Sequence, residues 1–202
     1  MLKLYRRVEI LKENGQKRQL GIPNIKDRIV QGVVKQIFEP IFEADFCGCS
    51  YGYRLNKEVQ ESISNVGRET SGEKHLVLDV GFAGYFDNVS HHILFERIAK
   101  RVNDDEVMHL TKLICKANGK KGVPQGGVIF PLFSNLYLKE VDEMFTKAKS
   151  VVRSYYGTEL NFYRFADNMV CLVKKQGQYI KLMRDIRRRL KQELDKLKVV
   201  MN

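Results

Sequence analysis

The chain has 202 residues, 44% of them hydrophobic and 29% charged, a balance that supports a packed core and excludes a disordered polyelectrolyte. No apolar stretch approaches the about 20 residues that span a bilayer, and the opening MLKLYRRVEIL lacks the apolar run of a secretory signal, so a cytoplasmic protein without membrane contact is expected. Lysine and arginine number 35 against 24 aspartates and glutamates, a net charge of +11, which points to a polyanionic partner such as nucleic acid.

Residues 6–22 predict a hairpin: Val8-Glu9-Ile10 alternates, Asn14-Gly15 is a strong two-residue turn, and Gln19 to Ile22 returns. Pro23-Asn24 then opens a helix to about residue 43, with Ile29, Val33 and Ile37 repeating at helical spacing. Residues 44–56 read as an aromatic loop. Within it, Cys47-x-Cys49 is too small a set for zinc, and all four cysteines are expected to be reduced thiols. Nor do the four histidines show a ligand spacing, so any metal would be held by carboxylates.

A helix is expected over 57–68 and a strand over 75–82. Ser90 is placed to cap a helix over 91–101, and Asn103 with Glu106 resembles a capping box for a helix over 104–117. Gly119 to Gly127 is a basic, glycine-rich loop. Pro131 suits the first turn of a helix running to about 148, with Leu132, Leu136, Val141 and Phe145 on its inner side. Tyr155 to Lys174 predicts two strands joined at Phe165-Ala166-Asp167-Asn168. An amphipathic helix over 178–197 closes the series, with Ile180, Met183, Ile186, Leu190, Leu194 and Leu197 on one face and basic residues on the other. The order describes an α+β fold, a small antiparallel sheet covered by helices.

Three segments combine into a chemical reading. The strand bearing Asp79 ends near Asp87, the loop Gly122-Val123-Pro124-Gln125-Gly126-Gly127 enters a helix, and Asp167 sits at a hairpin tip. Carboxylates on neighbouring strand ends facing a glycine-rich loop are what two-metal phosphoryl transfer uses: hard oxygen ligands suit Mg2+, and glycine lets backbone approach a nucleotide closely.

The stretches 6–31, 38–54, VLDVGFAGYFDNVSHHIL (77–94), GVPQGGVIFPLFSNLYLKEVD (122–142) and YRFADNMVCLVKK (163–175) resemble, in order and spacing, the reverse-transcriptase core of group II intron-encoded proteins (maturases) and their retron-type relatives. The resemblance implies a right-handed polymerase architecture, with fingers over residues 1–75 and palm over 76–202, the latter holding the glycine-rich loop and helix 122–148. It implies RNA-directed DNA synthesis with Mg2+, a deoxynucleoside triphosphate, an RNA template or intron RNA and a DNA primer, and in many relatives help with splicing. Carried over by position, Lys12 and Arg18 would contact the triphosphate, Phe86 the sugar, and Gln125 with Gly126 the floor under the templating pair. Arg7, Arg28 and Arg54 are RNA-contact candidates; Arg28 and Arg54 are equally suited to structural ion pairs. The resemblance says nothing of oligomeric state.

The pattern is broken at its centre. Relatives read approximately D-x-D-[IL]-x-x-[FY]-F-D at the first strand and Y-A-D-D at the hairpin. Aligning Tyr85-Phe86-Asp87 puts Gly81 where a metal-binding aspartate belongs, and Asn168 replaces the second hairpin aspartate. Asp167 remains as catalytic and metal-binding residue, with Asp79 a further metal candidate on the same strand face but one pleat, about 6–7 Å, away. A carboxylate oxygen must come within about 2.1 Å of Mg2+. Phe130 stands where relatives have a small serine, and the chain stops at Met201-Asn202, where they continue into a thumb. The expectation is therefore a fingers–palm core with the thumb absent, weak metal binding and polymerase activity severely reduced or lost. The alternatives are a non-catalytic, maturase-like module that binds intron RNA, or a decayed remnant.

Overall fold

Strands β1 (Arg6–Leu11) and β2 (Lys17–Ile22) pair antiparallel with Arg6 opposite Ile22 and Leu11 opposite Lys17. The structure is a computed structural model that describes residues 5–11, 15, 17–71, 75–117 and 119–201, without the side chain of Arg18. After the hairpin come α1 (Ile25–Glu43), α2 (Val59–Thr70), β3 (His75–Val80), the single turn α3 (Tyr85–Asn88), α4 (His91–Ala99), α5 (Asp105–Lys116), α6 (Phe130–Tyr156), β4 (Leu160–Phe165), β5 (Asn168–Lys174) and α7 (Tyr179–Lys196). This is the α+β arrangement expected, with a two-stranded sheet β1-β2 and a three-stranded antiparallel sheet ordered β3-β5-β4. No helix among the described residues is long and apolar enough to cross a membrane.

The chain packs as two units, each built from two segments: residues 1–45 with 84–137, and residues 46–83 with 138–202. In the first unit the core is aromatic. Phe38 and Phe42 of α1 are fully buried and meet edge to face at 5.7 Å, and Phe38 also packs on Phe133 of α6. Tyr85 is buried between Phe86 and Tyr137 and donates its hydroxyl to the Ser134 carbonyl at 2.9 Å. Arg97 of α4 is buried too, donating to the carbonyls of Leu136 and Tyr137, so its charge is matched by oriented peptide dipoles.

Helix α1 turns a different face inward from the one its apolar repeat suggests. Ile29, Val33 and Ile37 are 62%, 52% and 54% exposed, whereas Asp27, Gln31, Val34, Phe38 and Phe42 are buried. The two polar members of that face both have hydrogen-bond partners. Asp27 accepts from Asn24, which also caps the helix by accepting from the Asp27 amide, and Gln31 donates to the Tyr5 hydroxyl while accepting from the Val128 amide. Buried polar groups with partners cost little, so the larger aromatics dictate the inward face.

In the second unit one face of the β3-β5-β4 sheet supplies the core. Leu160 and Phe162 of β4, and Met169, Cys171 and Val173 of β5, are buried there with Val152 of α6 and Leu182, Ile186, Leu190 and Leu194 of α7. Phe145 stacks on Phe162 at 3.9 Å.

Several local expectations are corrected. Helix α5 is capped by Asp104, not Asn103: its carboxylate accepts from the amides of Glu106 and Val107. Ser90 occupies the α4 N-cap position but makes no side-chain capping bond. Helix α6 continues to Tyr156, where Gly157 at φ 62° ends it. Ile180 of α7 is 60% exposed, and Leu182 takes the inner position. Cys47 and Cys49 form a disulfide rather than two thiols; their Cα atoms are 5.2 Å apart, within bridging distance.

Candidate functional site

In the first unit the glycine-rich loop is fastened between β2 and α3. The Gly21 amide donates to the Gln125 carbonyl at 2.8 Å, the Val123 amide to the Phe86 carbonyl at 2.7 Å and the Gly122 amide to the Val89 carbonyl at 2.8 Å. His91 reaches the Gly122 carbonyl through Nε2 at 2.7 Å. Gly122 adopts φ 77°, and a Cβ there would lie 2.7 Å from the Asp87 carbonyl oxygen, so both backbone conformation and close approach require glycine. Gln125 is half-buried and Gly126 exposed, so the loop presents these two outward. Phe86 is 6% exposed and packs against Tyr85 at 5.2 Å. Arg7 on β1 and Arg28 on α1 are exposed. Lys12 lies outside the described residues, and for Arg18 only the backbone, paired with Ile10, is described.

In the second unit the sheet register fixes which polar groups share a face. Asp79 pairs with Val170 and Val80 with Met169, the last pair of the β3–β5 ladder. Side chains alternate, so Asp79, Val170 and Asn168 point to the face opposite the core. Asp79 and Asn168 are exposed there. Past Val80 the chain leaves β5: Phe82 bridges to Met201, and the Ala83 amide donates to the Val200 carbonyl at 3.0 Å. Gly81 is the residue at this departure. Asp79 thus stands opposite Val170, two residues short of position 81, or about 6–7 Å along a strand. Asp167 is half-buried in the two-residue tip between β4 and β5, where Ala166 adopts φ 56°. Among the described residues no group of three or more His, Cys, Asp or Glu side chains is placed to hold a metal ion.

The hairpin tip is held by residues that the sequence reading missed. Arg164, fully buried in β4, donates from Nε and Nη2 to the two carboxylate oxygens of Asp142 on α6 at 2.7 and 2.6 Å, and from Nη1 to the Ala166 carbonyl at 2.8 Å. An arginine in the apolar strand LNFYRF, and an aspartate among buried residues of α6, were the available signals. Residues 49–51 run along the outer edge of β4: the Arg164 amide donates to the Cys49 carbonyl and the Tyr51 amide to the Arg164 carbonyl. Gly52 lies so close that a Cβ there would be 2.3 Å from the Ala166 nitrogen. Arg54 donates to the Ser50 carbonyl at 2.6 Å and to the Cys47 carbonyl, and it stacks over Phe46. Its guanidinium is thereby engaged in holding this loop. Nearby, Tyr163 has its phenol pKa pushed up to about 12 by burial, reinforced by the charge of Glu69.

Comparison with known proteins accords with this geometry. A sequence model of the family described as "Reverse transcriptase (RNA-dependent DNA polymerase)" matches residues 10–201. Protein YkfC of Escherichia coli (strain K12) is 40% identical over 151 residues, covering 68% of this chain and 40% of that protein. The group II intron-encoded protein LtrA of Lactococcus lactis subsp. cremoris is 32% identical over 154 residues, covering 71% of this chain and 26% of LtrA. The match thus spans less than half the length of either relative. Among solved structures, telomerase from Candida Tropicalis in complex with a TWJ fragment of telomeric RNA superimposes on 100% of this chain and 40% of that one, with a TM-score of 0.72 at 12% identity, a likeness of fold.

Proposed function

Because this chain belongs to the reverse transcriptase (RNA-dependent DNA polymerase) family, we propose that it is a fingers–palm core of the group II intron type that binds RNA but is severely impaired in nucleotidyl transfer. The observation that carries this reading is the polar face of the palm sheet. Two-metal transfer needs carboxylate oxygens within about 2.1 Å of each Mg2+. Here Asp79 stands opposite Val170, position 81 is glycine, and Asn168 offers only a neutral carbonyl. Asp167 is the one carboxylate kept at a family metal position. These residues do not fit a pair of divalent cations.

The glycine-rich loop, by contrast, is fully built. Gln125 and Gly126 stand on the outer side of the loop, where a templating base would lie, and Phe86 keeps a fixed place against Tyr85. A net charge of +11 supports binding of an RNA backbone through arginines such as Arg7 and Arg28. Such binding weakens steeply with salt, because phosphate contacts release condensed counterions.

Primer extension on an RNA template with Mg2+ or Mn2+, paired with RNA binding at two salt concentrations, tests the reading. The expected outcome is salt-sensitive RNA binding with no more than trace extension. Substantial extension by the unaltered protein would refute the impaired-site reading, and absence of RNA binding at low salt would refute the RNA-binding one.

A further inference from the structure

The second unit carries a groove lined by none of the site residues described above. It lies between the C-terminal half of α6 and α7 and has a volume of about 770 Å3. Its floor is apolar and already covered: Phe145, Val152, Leu182 and Ile186 are at most 5% exposed. What it presents to solvent is an aromatic ring, the Val151 side chain and a row of cations. Tyr155, 61% exposed, stands at the wall. Lys181 lies 5.2 Å from its ring centroid, and Tyr156 meets it edge-on at 4.7 Å, so the ring is held in place rather than left to rotate.

Cations outnumber carboxylates in the groove. Lys181, Arg188 and Arg189 line the groove beside a single carboxylate, Asp185. That carboxylate is already occupied: it accepts from the Tyr156 hydroxyl at 2.8 Å and pairs with Arg188 at 2.9 Å. Arg189 shares Glu193 with Lys196. Beside the groove, Arg184, Arg187 and Lys191 are exposed and have no carboxylate partner among the described residues. At 1.5 Å rise per residue, the cations from Lys181 to Lys191 follow α7 for about 15 Å. An exposed aromatic ring flanked by a track of cations is the combination that binds unpaired bases and their phosphates.

We propose that the α6–α7 groove binds a single-stranded RNA segment, one base stacking on Tyr155 and neighbouring phosphates meeting Lys181, Arg188 and Arg189. The inference rests on the RNA-binding reading above and assigns part of that binding to a surface formed by α6 and α7.

The test measures binding of a fluorescein-labelled 12-nucleotide oligouridine by the full chain, by anisotropy across a salt series. Tyr155→Ala is expected to weaken binding about 5- to 150-fold, the range for losing one stacked base, while Tyr155→Phe retains it. Lys181→Gln/Arg189→Gln is expected to lower the log–log salt slope by about 1.4, since each single-strand phosphate contact contributes about 0.7. Circular dichroism and thermal melting should match the unaltered protein, because Tyr155 and Lys181 are exposed. If the unaltered protein binds the oligonucleotide and the variants bind it equally well, the groove assignment is overturned and the RNA-binding reading stands. If the unaltered protein binds neither the oligonucleotide nor a structured RNA at low salt, the RNA-binding reading itself fails. A groove that binds an acidic peptide and not the oligonucleotide also overturns the assignment.

Discussion

Replacing Asp142 by alanine removes a bidentate carboxylate partner from a guanidinium that is 0% exposed, against an aspartate that is 1% exposed. Two charge-assisted hydrogen bonds of 2.7 and 2.6 Å disappear. Arg164 keeps its bond to the Ala166 carbonyl, but water cannot replace the lost acceptor without opening the space between α6 and β4. Breaking one partner of a buried pair costs about 3–5 kcal/mol, a large share of the about 5–15 kcal/mol that stabilises a typical domain. With a urea m-value of about 2 kcal/mol/M, the unfolding midpoint should fall by about 2 M. The double variant Arg164→Leu/Asp142→Leu should recover much of this, because an apolar pair leaves no charge unmatched. Amide exchange at Asp167 and Asn168 should rise in the single variant, since the same guanidinium steadies the tip. A loss below about 1 kcal/mol for Asp142→Ala would refute the argument that this pair is dry and structurally required.

Gly52→Ala drives a Cβ to 2.3 Å from the Ala166 nitrogen. A cost of about 1–3 kcal/mol is expected, seen as a lower melting temperature with faster exchange at the amides of Tyr51 and Arg164. Asp104→Ala removes the α5 cap and should cost about 1 kcal/mol in urea unfolding. Burial pushes the thiols of Cys115 and Cys171 from 9.0 up to about 12. With folded pKa values above unfolded ones, their contribution to stability is complete below about pH 9 and lost as pH rises toward 12. The unfolding free energy from urea titration should therefore fall by about 1 kcal/mol per thiol between pH 8 and pH 10, less so in Cys115→Ala/Cys171→Ala, and neither thiol should react with maleimide in the folded protein at pH 7.

The element order and the sheet hairpin were legible because strands and helices here are bounded by strong local signals: Asn24 at a cap, Pro131 in a first turn, a two-residue tip before Asn168. The inward face of α1 was not. Its exposed repeat of Ile29, Val33 and Ile37 looks like a core stripe, and the burial of Gln31 on the other face depends on Tyr5 and Val128, partners distant in sequence. Asn103 and Asp104 are both good caps one residue apart, so backbone geometry decided between them. Gly157 marked the end of α6, yet its weight depended on a left-handed conformation that the sequence does not display. The Cys47–Cys49 bond depended on a loop fold that composition does not specify. At the site, the motif alignment located Gly81 and Asn168, but the pairing of Asp79 with Val170 is a matter of register. Nothing in sequence spacing pointed to Arg164 and Asp142 as partners, because 22 residues and a helix end separate them.

Whether the polar face of the palm sheet can hold divalent cations separates an impaired site from a working one. Mn2+ titration followed by electron paramagnetic resonance measures this directly, comparing the unaltered protein with Gly81→Asp/Asn168→Asp in the presence of a nucleoside triphosphate analogue. The unaltered chain should show no protein-dependent Mn2+ binding beyond that of the nucleotide alone, and the double variant at least one added site. Two tightly held Mn2+ ions in the unaltered protein would contradict the impaired-site reading.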